Sequence, residues 1–171
     1  NLIKKNYNLI DDISYQDHKS YTKNKYFKNL DTISDNAGLE INNSCNINCV
    51  MCDTKSSTRK KQLMGLDLVE DSVIKLKEIG IKSIVLHTIG DPMANPRLPK
   101  VLEILRKHNM PVGFLSTNGL MLDKHIDTLI KYNDIAGNLR FSIDGVKKKT
   151  YEKIRFGSKW EKLIENMDLA K

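Results

Sequence analysis

Apolar strand-like segments alternate with segments of helical periodicity from residue 38 onward, and this alternation restricts the possible folds more than any other feature. Leu39 and Ile41 alternate with polar residues, and short apolar runs follow at residues 84–86, 112–115 and 139–143. Apolar residues at helical spacing follow each of these segments. The βαβα order predicts a parallel sheet with right-handed crossovers. An open doubly wound sheet and a β/α barrel both match this pattern.

Local signals predict where the helices begin and end. Gly80 follows the first helical segment as a stop signal, and Pro99 stands near the start of the second, where its missing N–H is harmless. Asp123 is the expected cap of the third helix. Ser158 and Glu161 form the Ser-x-x-Glu pattern that is typical of a capped helix start.

Residues 1–37 are predicted to form an N-terminal arm or lead-in, and residues 38–171 a single α/β domain. The first segment is polar, has no clear period and interleaves tyrosines with lysines. Such a mixture can bind single-stranded nucleic acid by stacking, although a solvated arm is the simpler interpretation. The chain starts with Asn and stops within a helical pattern, so we expect a larger protein around it.

Charge and hydropathy favour neither a nucleic acid nor a membrane as partner. Lys and Arg number 28 and Asp and Glu 21, which gives a net charge of +7. Because lysine is abundant beside asparagine and isoleucine, the charge is compatible with biased composition alone, and we do not expect nucleic-acid binding. No apolar run approaches the roughly 18 residues that a membrane span requires.

All three cysteines of the chain lie within eight residues, at Cys45, Cys49 and Cys52. Thiolates this close together suit zinc or an iron–sulfur cluster. A structural zinc ion needs four protein ligands, and the fourth would be one of the remote histidines: His18, His87, His108 or His125. A [4Fe–4S] cluster can take three thiolates and leave one iron open for a substrate or cofactor. The absence of a nearby fourth cysteine favours the cluster.

Small and polar residues follow each of the other predicted strands. These segments are Gly90-Asp91-Pro92, Ser116-Thr117-Asn118-Gly119 and Ser142-Ile143-Asp144-Gly145. Because the carboxyl ends of parallel strands meet at one edge, we expect these residues to share a site with the cysteines. Taken singly, each segment is also an ordinary turn.

The four motifs together resemble the radical S-adenosylmethionine superfamily over residues 38–171. The C-x3-C-x2-C spacing is the signature of that family, and Gly90-Asp91-Pro92 resembles its Gly-Glu-Pro segment. Residues 142–155 are similar to the branch that often carries a SPASM or Twitch extension. The resemblance implies a partial (β/α)6 barrel of the radical SAM type, truncated here after about four strand–helix units.

The resemblance also implies the chemistry. The three cysteines would hold a [4Fe–4S] cluster whose fourth iron binds S-adenosylmethionine. An electron from the cluster would cleave the cofactor to a 5′-deoxyadenosyl radical, which would abstract hydrogen from a substrate. The branch implies a peptide or protein side chain, and a small metabolite such as a carbohydrate is the alternative. An electron donor such as flavodoxin or ferredoxin is the expected partner, in a reducing, cytoplasmic setting.

The remaining motif residues acquire expected roles toward S-adenosylmethionine. Backbone groups of Gly90, Asp91 and Pro92 would meet its ammonium, and Asp91 replaces the usual Glu, which puts a direct carboxylate contact in doubt. Hydrogen bonds to its ribose or carboxylate are expected from Ser116, Asn118 and Ser142, and a charged bond from Arg155. Met51 stands where the family has an aromatic residue and would pack on the adenine.

A different class of protein also matches part of the sequence. A zinc-stabilised nucleic-acid-binding module would use the same cysteines, the +7 charge and the Tyr/Lys-rich arm. The two hypotheses differ in metal content, since a cluster would supply about four irons per chain and the module about one zinc.

Overall fold

A computed structural model describes residues 35–171 as a four-stranded parallel sheet with helices between the strands. The elements are β1 (Asn36–Gly38), α1 (Leu66–Glu78), β2 (Ser83–Val85), α2 (Leu98–Lys107), β3 (Val112–Thr117), α3 (Ile126–Lys131), α4 (Asn133–Ala136), β4 (Leu139–Phe141), α5 (Lys148–Ile154) and α6 (Trp160–Leu169). Single 3-10 turns occupy Asp53–Lys55, Pro92–Ala94 and Leu122–Lys124. No helix among these residues is both long and apolar enough to cross a bilayer.

The order of the strands decides between the two predicted architectures. The sheet runs β1-β2-β3-β4, and every neighbouring pair is parallel. A doubly wound sheet reverses its strand order at a switch point, whereas a barrel keeps the order of the sequence. The described residues therefore form four consecutive strands of a partial β/α barrel, as predicted.

One face of the sheet carries the hydrophobic core. Ile84, Leu86 and Leu115 are fully buried there against the apolar faces of α1 and α2, including Val73 and Leu102. On the opposite face, no residue of the strands is fully buried within the described chain. β3 contains one extra residue relative to β2, since Ile84 pairs with Val112 but the next residue, Val85, pairs with Phe114. This irregularity determines which side chains of β3 lie on the open face.

The first strand begins earlier than the alternation predicted. It starts at Asn36, so it includes two residues assigned to the arm of residues 1–37, whose first 34 residues lie outside the described chain. Leu39 and Ile41 are nevertheless buried in the core, and the Leu39 N–H donates to the Val85 carbonyl at 2.9 Å. The apolar alternation correctly identified residues that pack in the core. The residues that form the hydrogen bonds of β1 depend instead on the position of the neighbouring strand, β2.

Both predicted helix caps are wrong. His125 precedes α3, and Asp123 instead forms an ion pair with Lys162 at 3.1 Å. Lys159 precedes α6 without a side-chain cap, because Glu161 reaches Lys148 instead of closing a capping box with Ser158. The first N–H of α6, that of Trp160, donates instead to the Glu152 carboxylate at 3.0 Å, so a side chain of α5 does what the local pattern assigns to Ser158.

Candidate functional site

The cysteine loop and the segments that follow β2, β3 and β4 line one open cavity of about 140 Å³ at the carboxyl ends of the strands. The topology brings these segments together because all four strands point the same way. Nine of the predicted site residues line this cavity: Cys45, Cys49, Cys52, Gly90, Asp91, Ser116, Asn118, Ser142 and Arg155. Motifs separated by up to 110 residues in the sequence therefore form one site.

Two predicted residues do not line this cavity. Pro92 is buried at the start of a 3-10 turn, where its ring supports the turn after Asp91. Met51 is 56% exposed and lies in a surface hollow with Val50 and Lys55. The structure therefore does not bring Met51 to the other predicted cofactor residues.

Backbone hydrogen bonds hold the cysteine loop against the end of α5. The N–H of Asn48 donates to the Phe156 carbonyl at 2.8 Å, and the N–H of Val50 donates to the Ile154 carbonyl at 2.9 Å. Asn43, at the start of the loop, donates to the Lys60 carbonyl and accepts from the Gln62 N–H, both at 2.8 Å. The loop is thereby fixed at its base and along the cysteine segment.

Polar side chains lie beside all three cysteine sulfurs, and the Cys45 sulfur also lies 3.9 Å from the Asn46 amide oxygen. Asn118 directs its amide nitrogen to the Cys45 sulfur at 3.6 Å, and Arg155 directs Nη1 to the Cys49 sulfur at 3.7 Å. The Thr54 hydroxyl lies 2.9 Å from the Cys52 sulfur. The N–H groups of Asn118 and Arg155 are donors that would stabilise thiolates at Cys45 and Cys49.

The donor set fits an iron–sulfur cluster better than a single ion. All three thiols are free. Burial raises the pKa of the Cys45 and Cys49 thiols, and the Arg155 charge opposes this rise at Cys49. No group of three His, Cys, Asp or Glu side chains in residues 35–171 is placed to surround one metal ion. A cluster binds each thiolate to a different iron, so its sulfur ligands need not converge on one point.

Asp91 acts within the protein as a hub of hydrogen bonds. Its side chain is 5% exposed and accepts from the Thr117 hydroxyl at 3.0 Å, the Asn118 N–H at 2.8 Å and the Met93 N–H at 2.9 Å. Burial raises the pKa of the Asp91 carboxyl, and these donors oppose the rise. The carboxylate therefore ties the turn after β2 to the turn after β3.

We expect Asp91→Asn to lower the free energy of unfolding by about 1–3 kcal/mol, since an amide has one acceptor oxygen and would place its own NH2 group against buried donors. Denaturant unfolding of the cluster-free protein measures this loss. Asp168→Asn is the matched control, because the Asp168 side chain pairs with Lys171 alone among residues 35–171, at the surface, and its replacement should change stability by less than about 0.5 kcal/mol. Equal denaturation midpoints for Asp91→Asn and Asp168→Asn would show that the hydrogen bonds of the Asp91 carboxylate do not stabilise the fold.

Gly90 is the point of closest approach between the turn after β2 and the cysteine loop. A Cβ atom here would lie 2.3 Å from the Asn42 carbonyl oxygen and 2.8 Å from that of Ser44. The N–H of Asp91 donates to the Ser44 carbonyl at 3.0 Å, and the Asn42 amide donates to the Asp91 carbonyl at 3.0 Å. Within residues 35–171 no hydrogen bond uses the carbonyl of Gly90, which is one of the residues that line the cavity.

Serine hydroxyls and an anchored arginine occupy the β3–β4 side of the cavity. The Ser116 and Ser142 hydroxyl oxygens lie 3.4 Å apart. Arg155 forms an ion pair with Asp144 at 2.7 Å while its Nη1 faces Cys49. Asn118 is largely engaged already, since its amide also donates to Asn46 and its carbonyl accepts from the Leu120 N–H.

Sequence reasoning missed Thr54, Thr117 and the anchoring role of Asp144. Thr54 donates to the Ile89 carbonyl at 2.9 Å and so connects the cysteine loop to the turn after β2. Thr117 and Asp144 lie inside motifs that the sequence had already indicated, so their polarity and position were the available signal. Nothing in the spacing of Thr54 distinguishes it from a surface threonine.

A partial parallel barrel with three free thiols and polar turns at the carboxyl ends of its strands is typical of a barrel protein that depends on a metal and a cofactor. The chain belongs to the radical SAM superfamily: the family model described as "Radical SAM superfamily" matches residues 39–171. Proteins of this family use a [4Fe–4S] cluster and S-adenosylmethionine, as the resemblance of the four motifs implied. A zinc-stabilised nucleic-acid module does not agree with this membership.

Curated relatives match only a part of their own length. A probable GTP 3′,8-cyclase of Methanococcus vannielii is 28% identical over 120 residues, which are 70% of this chain and 39% of that protein. The GTP 3′,8-cyclase of Synechocystis is 25% identical over 134 residues, 77% of this chain and 40% of that protein. The chain thus spans about two fifths of the relatives that it matches.

Solved structures share the fold. SuiB of Streptococcus suis bound to the precursor peptide SuiA has a TM-score of 0.65 at 13% identity, with 91% of this chain and 34% of SuiB covered. Methylornithine synthase, PylB, has a TM-score of 0.61 at 20% identity, with 79% of this chain and 40% of that chain covered. Both similarities agree with the partial barrel. The SPASM or Twitch branch is not distinguished by them.

Proposed function

We propose that the protein containing this chain is an enzyme that binds a cluster and S-adenosylmethionine in the strand-end cavity and abstracts hydrogen from a substrate. The observation that supports this most strongly is the meeting of Cys45, Cys49 and Cys52 with the turns after β2, β3 and β4 in one cavity. When bound, the cluster would supply the electron that cleaves S-adenosylmethionine to a carbon-centred radical. The core domain predicted as residues 38–171 would also include Asn36 and Ala37 of β1, so the lead-in predicted as residues 1–37 would end before that strand.

The three cysteines are the proposed cluster ligands, and the thiolates of Cys45 and Cys49 have neighbouring donors. Asn118 and Arg155 already direct N–H groups at the sulfurs of Cys45 and Cys49. The Thr54 hydroxyl has one proton, which it donates to the Ile89 carbonyl, so it accepts from the Cys52 thiol in the metal-free protein. Once Cys52 is deprotonated, the hydroxyl can donate to its sulfur only by releasing Ile89.

The cavity also offers groups that suit the methionine end of S-adenosylmethionine. An ammonium is a donor only and needs acceptors, and the Gly90 carbonyl is one. The carboxylate needs donors, which the hydroxyls of Ser116 and Ser142 and the Arg155 guanidinium supply. Met51 lies outside this cavity, in the neighbouring hollow that Cys52 also lines.

Anaerobic reconstitution with iron and sulfide tests the proposed function. The protein should turn brown, absorb broadly near ~400 nm and hold about four irons per chain. Calorimetric titration should then detect binding of S-adenosylmethionine, and reduction with dithionite should yield methionine and 5′-deoxyadenosine. A colourless protein with about one tightly bound zinc would contradict the proposal.

Arg155→Ala should weaken binding of S-adenosylmethionine about ten- to a hundredfold, because a charge-assisted bond in a desolvated site contributes about 1.5–3 kcal/mol. Ser142→Ala should weaken it less, by about 0.5–1.5 kcal/mol, because the hydroxyl is neutral. Iron content should stay unchanged in both. Lys153→Ala is the control, since Lys153 is exposed on α5 two residues before Arg155. If Arg155→Ala binds as tightly as Lys153→Ala, Arg155 serves only Cys49 and Asp144.

Two substrate classes are supported by different observations. The motif at residues 142–155 favours a peptide or protein side chain through its likeness to the SPASM or Twitch branch. The relatives named GTP 3′,8-cyclase favour GTP. Production of 5′-deoxyadenosine above the substrate-free rate, measured with GTP and with a peptide library in parallel, separates the two. A low-potential donor such as flavodoxin or ferredoxin in a reducing cytoplasm would supply the electron.

A further inference from the structure

We propose that Arg140, on the open face of the sheet below the strand-end cavity, binds an oxyanionic group of the substrate, a phosphate or a carboxylate. The inference rests on the proposed function, since it assigns the substrate side of the same cavity. It is supported by the geometry of Arg140, Phe114 and His87, the charge balance of the face and the distance to the cavity.

Arg140 is held by stacking and leaves its hydrogen bonds unused. Its guanidinium carbon lies 3.7 Å from the centre of the Phe114 ring, a cation–π contact that orients the plane of the guanidinium. No ion pair or hydrogen bond to its guanidinium is formed within residues 35–171, and the residue is exposed. A guanidinium with free donors in a fixed plane suits a bidentate carboxylate or phosphate.

The other charges on this face are already balanced. Glu40 forms an ion pair with Arg59 at 2.6 Å and also accepts from the Thr88 hydroxyl. His87 packs at 5.4 Å from Phe114, ring centre to ring centre, and its buried Nδ1 has no partner in the described chain. Burial lowers the pKa of His87, and Arg140 acts in the same direction. Among the described residues, Arg140 is therefore a cation of this face without an anionic partner.

The position of Arg140 relative to the cavity matches the length of a small substrate. Arg140 pairs with Ser116 in the sheet, and Ser142, two residues further along the chain, lines the cavity. Two residues along a strand span about 6.6 Å. A substrate anchored at Arg140 by its oxyanion would therefore place another of its atoms near the cysteine end of the site.

Calorimetric titration of the reconstituted protein with inorganic triphosphate, and separately with succinate, tests the anchor at low ionic strength. We expect at least one of the two to bind, and Arg140→Ala to weaken that binding about tenfold or more. Phe114→Leu should weaken anion binding less than Arg140→Ala does, because the Arg140 charge remains and only the aromatic ring beneath its guanidinium is lost. Preference for triphosphate identifies a phosphate as the substrate group, and preference for succinate identifies a carboxylate.

Arg106→Ala is the matched control. Arg106 also stacks on an aromatic ring, at 4.3 Å from the centre of Tyr132, but it is ion-paired with Asp134. It should leave binding of both anions unchanged. The proposal is wrong if neither anion binds, or if Arg140→Ala binds them as tightly as Arg106→Ala does. Retained binding of S-adenosylmethionine in Arg140→Ala separates failure of this anchor from failure of the proposed function.

Discussion

Replacing Cys49 with alanine should abolish incorporation of the cluster, and the same holds for Cys45 and Cys52. The chain has three cysteines, all on one loop, so no spare thiol can replace a lost ligand. Each variant keeps two thiolates, so a second iron of the cluster would have no protein ligand. The cluster would then be open to solvent at that iron and would be lost. Iron and sulfide analysis after anaerobic reconstitution, together with absorption near ~400 nm, measures the result.

Val50→Ala is the control for this experiment. Val50 lies between Cys49 and Cys52 and is 69% exposed, so its truncation keeps the three thiols and disturbs little packing. It should retain about four irons. A Cys49→Ala protein with the same iron content as Val50→Ala would show that the three-cysteine assignment is wrong.

The second large effect is expected from Gly90→Ala. The added methyl carbon would lie 2.3 Å from the Asn42 carbonyl oxygen, and a backbone atom cannot move aside as a flexible side chain does. We expect the free energy of unfolding to fall by about 3 kcal/mol, at the upper end for an overpacked site. Iron uptake should fall too, because relief of the contact would separate the turn after β2 from the cysteine loop.

Gly65→Ala provides the comparison for Gly90→Ala. A Cβ atom at Gly65 would meet nothing within 4 Å, and its φ of −61° is open to alanine. The free energy of unfolding of Gly65→Ala should differ from that of the unchanged protein by less than about 1 kcal/mol. Denaturant unfolding and iron content of the two variants measure the difference. Equal stability of both proteins would mean that the turn after β2 tolerates displacement.

Much of the fold was predictable because its signals are local. The helical spacing that begins at Leu66 and the Gly80 stop gave α1 nearly as observed, with Gly80 at φ +94°. The apolar run at residues 84–86 corresponds to β2 and to the buried Ile84 and Leu86. Strand bounds and helix caps were less predictable, since β1 is defined by its pairing with β2 and since Asp123 and Glu161 form ion pairs with Lys162 and Lys148, which are distant in sequence.

Residue identity and spacing alone determined the chemistry that this chain offers: three clustered thiols and small polar turns after each strand. Only the tertiary structure determined which partner each of those residues contacts. The consecutive order of the four parallel strands gives the sheet the form of a partial barrel. The packing of the strand ends also turns the Asp91 carboxylate inward to Thr117 and Asn118. It also left Arg140 without an anionic partner among the described residues. A side chain's partners depend on distances between segments far apart in sequence, and those distances exist only once the chain is packed.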